Sequence, residues 1–376
     1  MLRIWDFGFS SLIMHWFLVY LYVFDISFVL ALLFTPLCKR LSFQWDFVDQ
    51  PDRERKVHSE PMPLLGGLAV FGAFTINVVF NYLVILPFAS TVNLPFIEMP
   101  DVKKYLEGAF SVWPKLLVIL LGGALMVTLG MYDDKYELSA RKKFVAQIVI
   151  ALLVACAGIR LTIFIHNAFA SYALTVLWIV TITNAMNFLD NMDGLCAGIG
   201  LVCAALFAFI AGVQHEFFVC LLAVALAGAL TGFLPHNFKP ASIFLGDAGS
   251  HFVGYMLAVL PICVTFYRRG ALTPLPVLIP LLVLAVPLFD LAMVMWIRLR
   301  HGQPVYQGDV NHLSHRLVRL GLPQSWAVTL IYLITLTLGL GATILLWSEM
   351  TAALVVIVQA ICILAIITLL ERLGGK

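Results

Sequence analysis

Eleven predominantly apolar stretches, each near the length needed to cross a bilayer, follow one another along this chain. Their approximate bounds are 15–38, 64–88, 114–132, 144–164, 172–189, 195–213, 217–236, 250–266, 275–297, 326–346 and 350–370. Spanning the hydrocarbon core takes about 20 such residues. Lipid offers no partners to backbone N–H and C=O groups, so each stretch must satisfy its own as a helix. Composition agrees, since 62% of the residues are hydrophobic and 12% charged; soluble domains carry roughly 25% charge. No soluble fold of 376 residues has an interior large enough to hide so much apolar surface. The expected fold is all-α, a polytopic membrane helix bundle of about 11 transmembrane helices, built as a single domain over 1–376. The lipid bilayer is its first partner, and a net charge of +2 gives no basis for a nucleic-acid partner.

The first stretch carries Asp25 near its middle and no small-residue cleavage site. It reads as a span and not as a removable signal. The seven cysteines are scattered, with no CxxC pair, and read as small buried hydrophobes. No internal repeat or low-complexity tract is visible.

Cations divide unevenly between alternate loops. One set holds sixteen: Lys39, Arg40, Arg53, Arg55, Lys56, Lys135, Arg141, Lys142, Lys143, Lys239, Arg298, Arg300, Arg316, Arg319, Arg372 and Lys376. The other holds seven. The richer set is expected in the cytosol by the positive-inside rule. That places the N-terminus outside and the C-terminus in the cytosol. The polar loops of interest, at about 39–63, 133–143, 190–194, 237–250 and 298–325, then share the cytosolic face.

Four of those loops carry unusual polar clusters. Asp133 and Asp134 stand together at the inner end of the third stretch. Adjacent carboxylates at a membrane edge need a cation, and Lys135 and Arg141 are near in sequence. A plain solvated helix end is an equal reading. Asn184, Asn187, Asp190, Asn191 and Asp193 crowd the junction of two apolar stretches without a cation among them. On a helix they would spread over about half the surface at roughly 100° per residue. They line a wet cavity or touch a ligand, unless they form a polar helix-packing seam.

Asp247 is framed by Gly246 and Gly249 just before a span. Glycines permit close backbone approach, and a helix start offers free N–H groups to anions. One carboxylate there suits a hard divalent cation shared with phosphate oxygens. His312 and His315, followed by Arg316, make a compact phosphate-binding type of cluster. Zinc would need further ligands, and no cysteine is near. The basic run Arg53–His58 precedes Pro61-Met62-Pro63-Leu64-Leu65-Gly66-Gly67. It either enforces topology at anionic lipid or serves a site, and its Gly-Gly hints at close packing or an anion site. Together these groups suit a soluble phosphorylated substrate meeting a lipid-borne one, with magnesium between them.

These segments, in this order over residues 51–317, resemble the polyprenyl-phosphate N-acetylhexosamine-1-phosphate transferase family. The resemblance implies an enzyme that transfers a sugar 1-phosphate from a UDP-N-acetylhexosamine to a polyprenyl phosphate, releasing UMP. It implies Asp247 as a magnesium ligand, with manganese as the alternative ion, and Phe244 stacking on uracil. Asp190 and Asp193 would line the nucleotide site, with Asn184 and Asn187 close to the diphosphate. Lys56 and Lys143 would meet phosphates, as would Arg316. Asp133 is the family's proposed base, with Asp134 beside it, and His312 and His315 are expected in the catalytic loop. The bacterial branch using UDP-N-acetylglucosamine commonly reads His-x-His-His there, whereas this chain reads His312-Leu313-Ser314-His315.

The expected activity is transfer of N-acetylglucosamine 1-phosphate to undecaprenyl phosphate in the bacterial cytoplasmic membrane, opening a cell-envelope polysaccharide pathway. The spaced histidines and the eleventh span favour this branch over the ten-span muramoyl-pentapeptide branch. That donor, or another UDP-N-acetylhexosamine, is the alternative, and a homodimer is an open option. A proton- or cation-coupled transporter is the remote reading; the acids gather at one face and not near the midplane.

Overall fold

The structure is a computed structural model, and it describes residues 7–50, 61–87, 108, 110–162, 165, 167–266, 272–304 and 311–374. Lys56 and the rest of 51–60 lie outside the described residues, as does Asp309. The described chain is almost wholly helical. Its helices are α1 Phe7–Gln44, α2 Gly66–Phe80, α3 Trp113–Tyr136, α4 Ala140–Cys156, α5 Ala168–Phe188, α6 Leu195–Val213 and α7 Phe217–Asn237. They continue with α8 Gly246–Ile262, α9 Ile279–Val283, α10 Ala285–Arg300, α11 Leu313–Arg319, α12 Gln324–Ile344 and α13 Met350–Gly374. A two-stranded antiparallel ribbon, β1 Val48–Asp49 against β2 Met62–Pro63, closes the base of the loop between α1 and α2.

Each of the eleven expected spans coincides with a helix or helix pair. Eight are continuous helices long and apolar enough to cross a bilayer, α2 reaching that length with the π-helical segment Asn81–Ile85 that extends it, and α9 with α10 makes a ninth that bends by 68°. The other two, α4 and α8, have 17 residues each. At 1.5 Å per residue they reach about 25 Å, short of the roughly 30 Å hydrocarbon core. For α8 the shortfall is harmless, because nearly every residue from Gly246 to Pro261 is buried in protein. A helix apolar all round belongs at the centre of a bundle, and α8 packs on α3, α5 and α2. At the periphery, Leu33 of α1, Leu153 of α4 and Val355 of α13 are exposed, as lipid-facing side chains must be.

Small residues set the closest crossings, the usual device where lipid removes the hydrophobic drive between helices. Gly228 and Gly232 of α7 lie one turn apart against α1. A Cβ on them would come within 2.4 Å of Phe24 O and 2.2 Å of Phe28 O. The same device fixes the first turn of α8. A Cβ on Gly67 would stand 2.1 Å from Gly249 N, and one on Gly130 would stand 2.3 Å from Ala248 N. The Gly-Gly at the start of α2 therefore serves close packing and not an anion site.

Candidate active site

The site is assembled from helix ends. α3, α5 and α7 bring their C-terminal ends to one face, and α4, α6 and α8 bring their N-terminal ends, because short links join antiparallel neighbours. The Asn184–Leu195 segment is not one helix. α5 stops at Phe188, a turn carries Asp190 and Asp193, and α6 starts at Leu195 after Gly194 at φ +77°. Only glycine takes that conformation without strain.

Lys143 is the hub. Its Nζ lies 2.7 Å from Asp133 Oδ2 and 2.6 Å from Asp247 Oδ2, and donates to Asn187 Oδ1 at 3.1 Å. Asn187 Nδ2 in turn donates to Asp247 Oδ1 at 2.7 Å and to Ser250 Oγ at 2.9 Å. One ammonium thus ties the ends of four helices together. The partner expected from sequence was different: Lys135 reaches Trp45 O and covers the Phe47 ring, and Arg141 is exposed. Lys143 prevails because it sits on the first turn of α4, facing inward.

Asp133 and Asp134 have separate duties. Asp133 is buried, with Oδ1 accepting the Leu138 N–H at 2.8 Å where the helix terminates. Asp134 accepts the N–H groups of Asp247 and Ala248 at 2.9 and 3.2 Å. Asp190 accepts the Gly246 N–H. The first N–H groups of α8, expected to be open to a ligand anion, are instead taken by the chain's own carboxylates. Desolvation in the cleft pushes Asp190 up to about 8; the Asp247 and Asp193 carboxylates add to the rise and the Gly246 N–H opposes it.

Phe244 is half-buried and held through its backbone: its N–H donates to Pro63 O at 2.8 Å and its carbonyl accepts from Gly66 at 3.2 Å. Gly67 N–H adds a bond to Leu245 O at 2.8 Å. The Pro-x-Pro-x-x-Gly-Gly segment is therefore a clamp on the loop that presents Phe244. Asp193 caps that loop from the other side, accepting the Ala241 N–H at 3.1 Å. Asn184 lies one turn deeper than Asn187 and donates to Gln147 Oε1 at 2.6 Å; Gln147 in turn meets His251 Nε2 at 3.2 Å.

A second cluster adjoins the first. His312 stands at the N-terminus of α11, its ring edge-on to Phe188 at 5.6 Å, and Arg298 covers the same phenyl ring at 5.2 Å. Ser314 is fully buried and donates to Asn191 Oδ1 at 2.6 Å. It docks α11 onto the turn that carries Asp190 and Asp193. His315 is half-buried on the same helix. Asp290, absent from every motif, is fully buried and faces His312 at 2.8 Å. A charge inside the apolar run Val286–Val294 was the signal for it.

Among the described residues no three Asp, Glu, His or Cys side chains converge as a ready metal cage. The cleft nevertheless holds Asp133 and Asp247 on one ammonium, with Asp134 and Asp190 adjoining Asp247. This hard-oxygen, electronegative set fits magnesium, which binds through one or two carboxylates plus substrate phosphates.

Residues 116–265 match the family described as glycosyl transferase family 4. The chain is similar to a probable undecaprenyl-phosphate N-acetylglucosaminyl 1-phosphate transferase of Bacillus subtilis. The two are 32% identical over 352 residues, covering 92% of this chain and 90% of the relative. It is also 32% identical over 347 residues to decaprenyl-phosphate N-acetylglucosaminephosphotransferase of Mycobacterium tuberculosis, covering 85% and 81%. Against the undecaprenyl-phosphate alpha-N-acetylglucosaminyl 1-phosphate transferase of Escherichia coli K12 the identity is 24% over 337 residues, covering 86% and 82%. With the five motifs in order and this likeness running nearly end to end, the chain belongs to glycosyl transferase family 4, among the polyprenyl-phosphate N-acetylhexosamine-1-phosphate transferases.

Proposed function

We propose that this protein transfers N-acetylglucosamine 1-phosphate from UDP-N-acetylglucosamine to undecaprenyl phosphate and releases UMP. It works at the cytosolic face of a bacterial cytoplasmic membrane, as the first membrane step of a cell-envelope polysaccharide. The observation that carries the reading is Lys143 held between Asp133 and Asp247, with Asn187 bridging, at the membrane edge. Names and near-complete coverage of the relatives support the sugar and the acceptor.

Phosphoryl transfer asks mainly for positioning and charge neutralisation. Asp247 would hold magnesium, or manganese in its place, and the ion would supply neutralisation of the diphosphate charge. Lys143 adds a fixed positive charge beside that carboxylate. Asp133 suits an orienting role better than proton abstraction. A phosphate monoester with a second pKa near ~6 is mostly dianionic at neutral pH and hardly needs a base, whereas the Asp133 carboxylate fixes Lys143 at 2.7 Å. Phe244 offers its ring to uracil, with Asp193 at the uracil edge and Asp190, Asn187 and Asn184 along the nucleotide. Lys56, His312, His315 and Arg316 complete the phosphate contacts. The runner-up is the same reaction with another UDP-N-acetylhexosamine, favoured by Ser314 standing where the N-acetylglucosamine branch commonly has histidine.

The test is a donor panel. Purified protein in detergent receives undecaprenyl phosphate, magnesium and one UDP-sugar at a time, with UMP release as readout. UMP from UDP-N-acetylglucosamine, abolished by EDTA and by Asp247→Asn in a folded variant, is the expected result. UMP from a different UDP-sugar alone moves the pathway, and none from any donor removes the reading.

A further inference from the structure

Two carboxylates from distant parts of the chain grip the His312–Arg316 pair. Asp290, on the second turn of α10, faces His312 Nδ1 with Oδ2 at 2.8 Å and accepts the Leu313 N–H on Oδ1 at 2.6 Å. Arg316 Nη2 lies 4.0 Å from the same Oδ1. Glu371, at the end of α13, accepts Arg316 Nε at 3.0 Å. A carboxylate on Nδ1 sets the imidazole's tautomer and direction, so that Nε2 is left for other work. Nε2 has no protein partner among the described residues.

The guanidinium tells the same story more sharply. Arg316 is 8% exposed, yet Nη1 and Nη2 have no hydrogen-bond partner among the described residues. Buried N–H donors are normally satisfied. A guanidinium anchored at Nε, with both Nη atoms buried and without a hydrogen-bond partner, keeps unused the edge that grips a phosphate or carboxylate with two parallel bonds. Packing does not account for Glu371. α13 is peripheral, with Val355, Val358, Ile361 and Leu369 exposed toward lipid, and its one described ion pair is the bond to Arg316.

We propose that Asp290 and Glu371 are positioning residues: Glu371 holds the Arg316 guanidinium as a donor to a phosphate oxygen of the substrate, and Asp290 fixes the His312 ring and the start of α11 beside it. The C-terminal helix is then part of the working site and not merely a membrane anchor. The inference rests on the transferase reading above. The phosphate belongs either to the nucleotide-sugar or to the polyprenyl phosphate; the chemistry at Arg316 is the same.

The test uses full-length protein in detergent and two readouts. UMP release gives kcat and the KM of each substrate, and thermal unfolding with and without inorganic pyrophosphate reports anion binding without turnover. Glu371→Gln keeps the shape and loses the charge. It is expected to fold and to raise the KM of one phosphate substrate about tenfold with kcat little changed, as loss of a charge-assisted anchor does. It should also lose most of the pyrophosphate-induced shift. Which KM rises identifies the source of the phosphate. Asp290→Asn is expected to lower kcat/KM by about tenfold or more, with Asp290→Glu restoring part of it. Wild-type KM values and a wild-type pyrophosphate shift in folded Glu371→Gln overturn the proposal. So does a wild-type protein that pyrophosphate leaves unshifted. If no donor yields UMP from the wild type, the transferase reading fails by itself, and the pyrophosphate arm still decides the positioning role.

Discussion

Lys143 carries more of the site than any other side chain. It is one of three consecutive basic residues, and burial separates them: Arg141 and Lys142 are exposed, whereas Lys143 is half-buried with three partners. Removing one member of a buried ion pair leaves its partners uncompensated, at a cost of about 3–5 kcal/mol. Lys143→Met should approach the lower figure, because an orphaned carboxylate can take up a proton. The variant is expected to melt well below the wild type and to release UMP at least about a hundredfold more slowly, near the effect of losing a transition-state charge contact. Lys142→Met should match the wild type in both assays. A Lys143→Met protein with full activity would show that the ammonium only ties helices together. The motifs made Asp133 and Asn187 legible in the sequence because each lies among other polar groups, and Asp247 because glycines frame it. Asp290, Gln147, His251 and Glu371 were not. The partner of each is remote in the chain: Asp290 meets His312 22 residues on, Gln147 meets His251 104 residues on, and Arg316 meets Glu371 55 residues on.

At the scale of helices, the contact that matters most is the wedge of α8 between α2 and α3. Its first turn carries Asp247, so its placement sets the position of the carboxylate proposed to hold magnesium. Glycine makes the approach possible, since backbone faces backbone at Gly67 and Gly130 and no side chain there can move aside. Gly67→Ala would put a Cβ 2.1 Å from Gly249 N. The helices must then part, with an overpacking cost of about 1–3 kcal/mol or more. Gly72 of the same helix is the control, since its added Cβ would meet Phe34 at an ordinary 3.6 Å. Gly72→Ala should be neutral or slightly stabilising, by up to about 1 kcal/mol from helix propensity. Thermal unfolding in detergent separates the two, and equal midpoints would mean that α2 and α8 are less tightly wedged. Helix positions were readable from apolar run length. The clamp of 61–67 on Phe244 was not, because it is made by backbone groups that pair across 178 residues or more, as Gly66 does with Phe244.

For the whole molecule, the structure bears on a question that charge counting alone addressed. Lys143, Asp133, Asn187 and Asp247 meet at one end of the bundle. The end of α1 joins that end through Lys135 on Trp45 O, and the end of α13 through Glu371 on Arg316. The last helix therefore finishes on the site's side, in keeping with an odd number of crossings. The cation bias, sixteen against seven, argues for the cytosol as that side. UDP-sugars are made and held in the cytosol, so the site must open there if the donor assignment is right. A single cysteine introduced at Asp101, in the loop between α2 and α3, should react with an impermeant maleimide added to intact cells. One introduced at Lys376 should react only after the membrane is permeabilised. The reverse pattern would turn the carboxylate cluster toward the outside, where no UDP-sugar could reach it, and the transferase reading would fall with the topology.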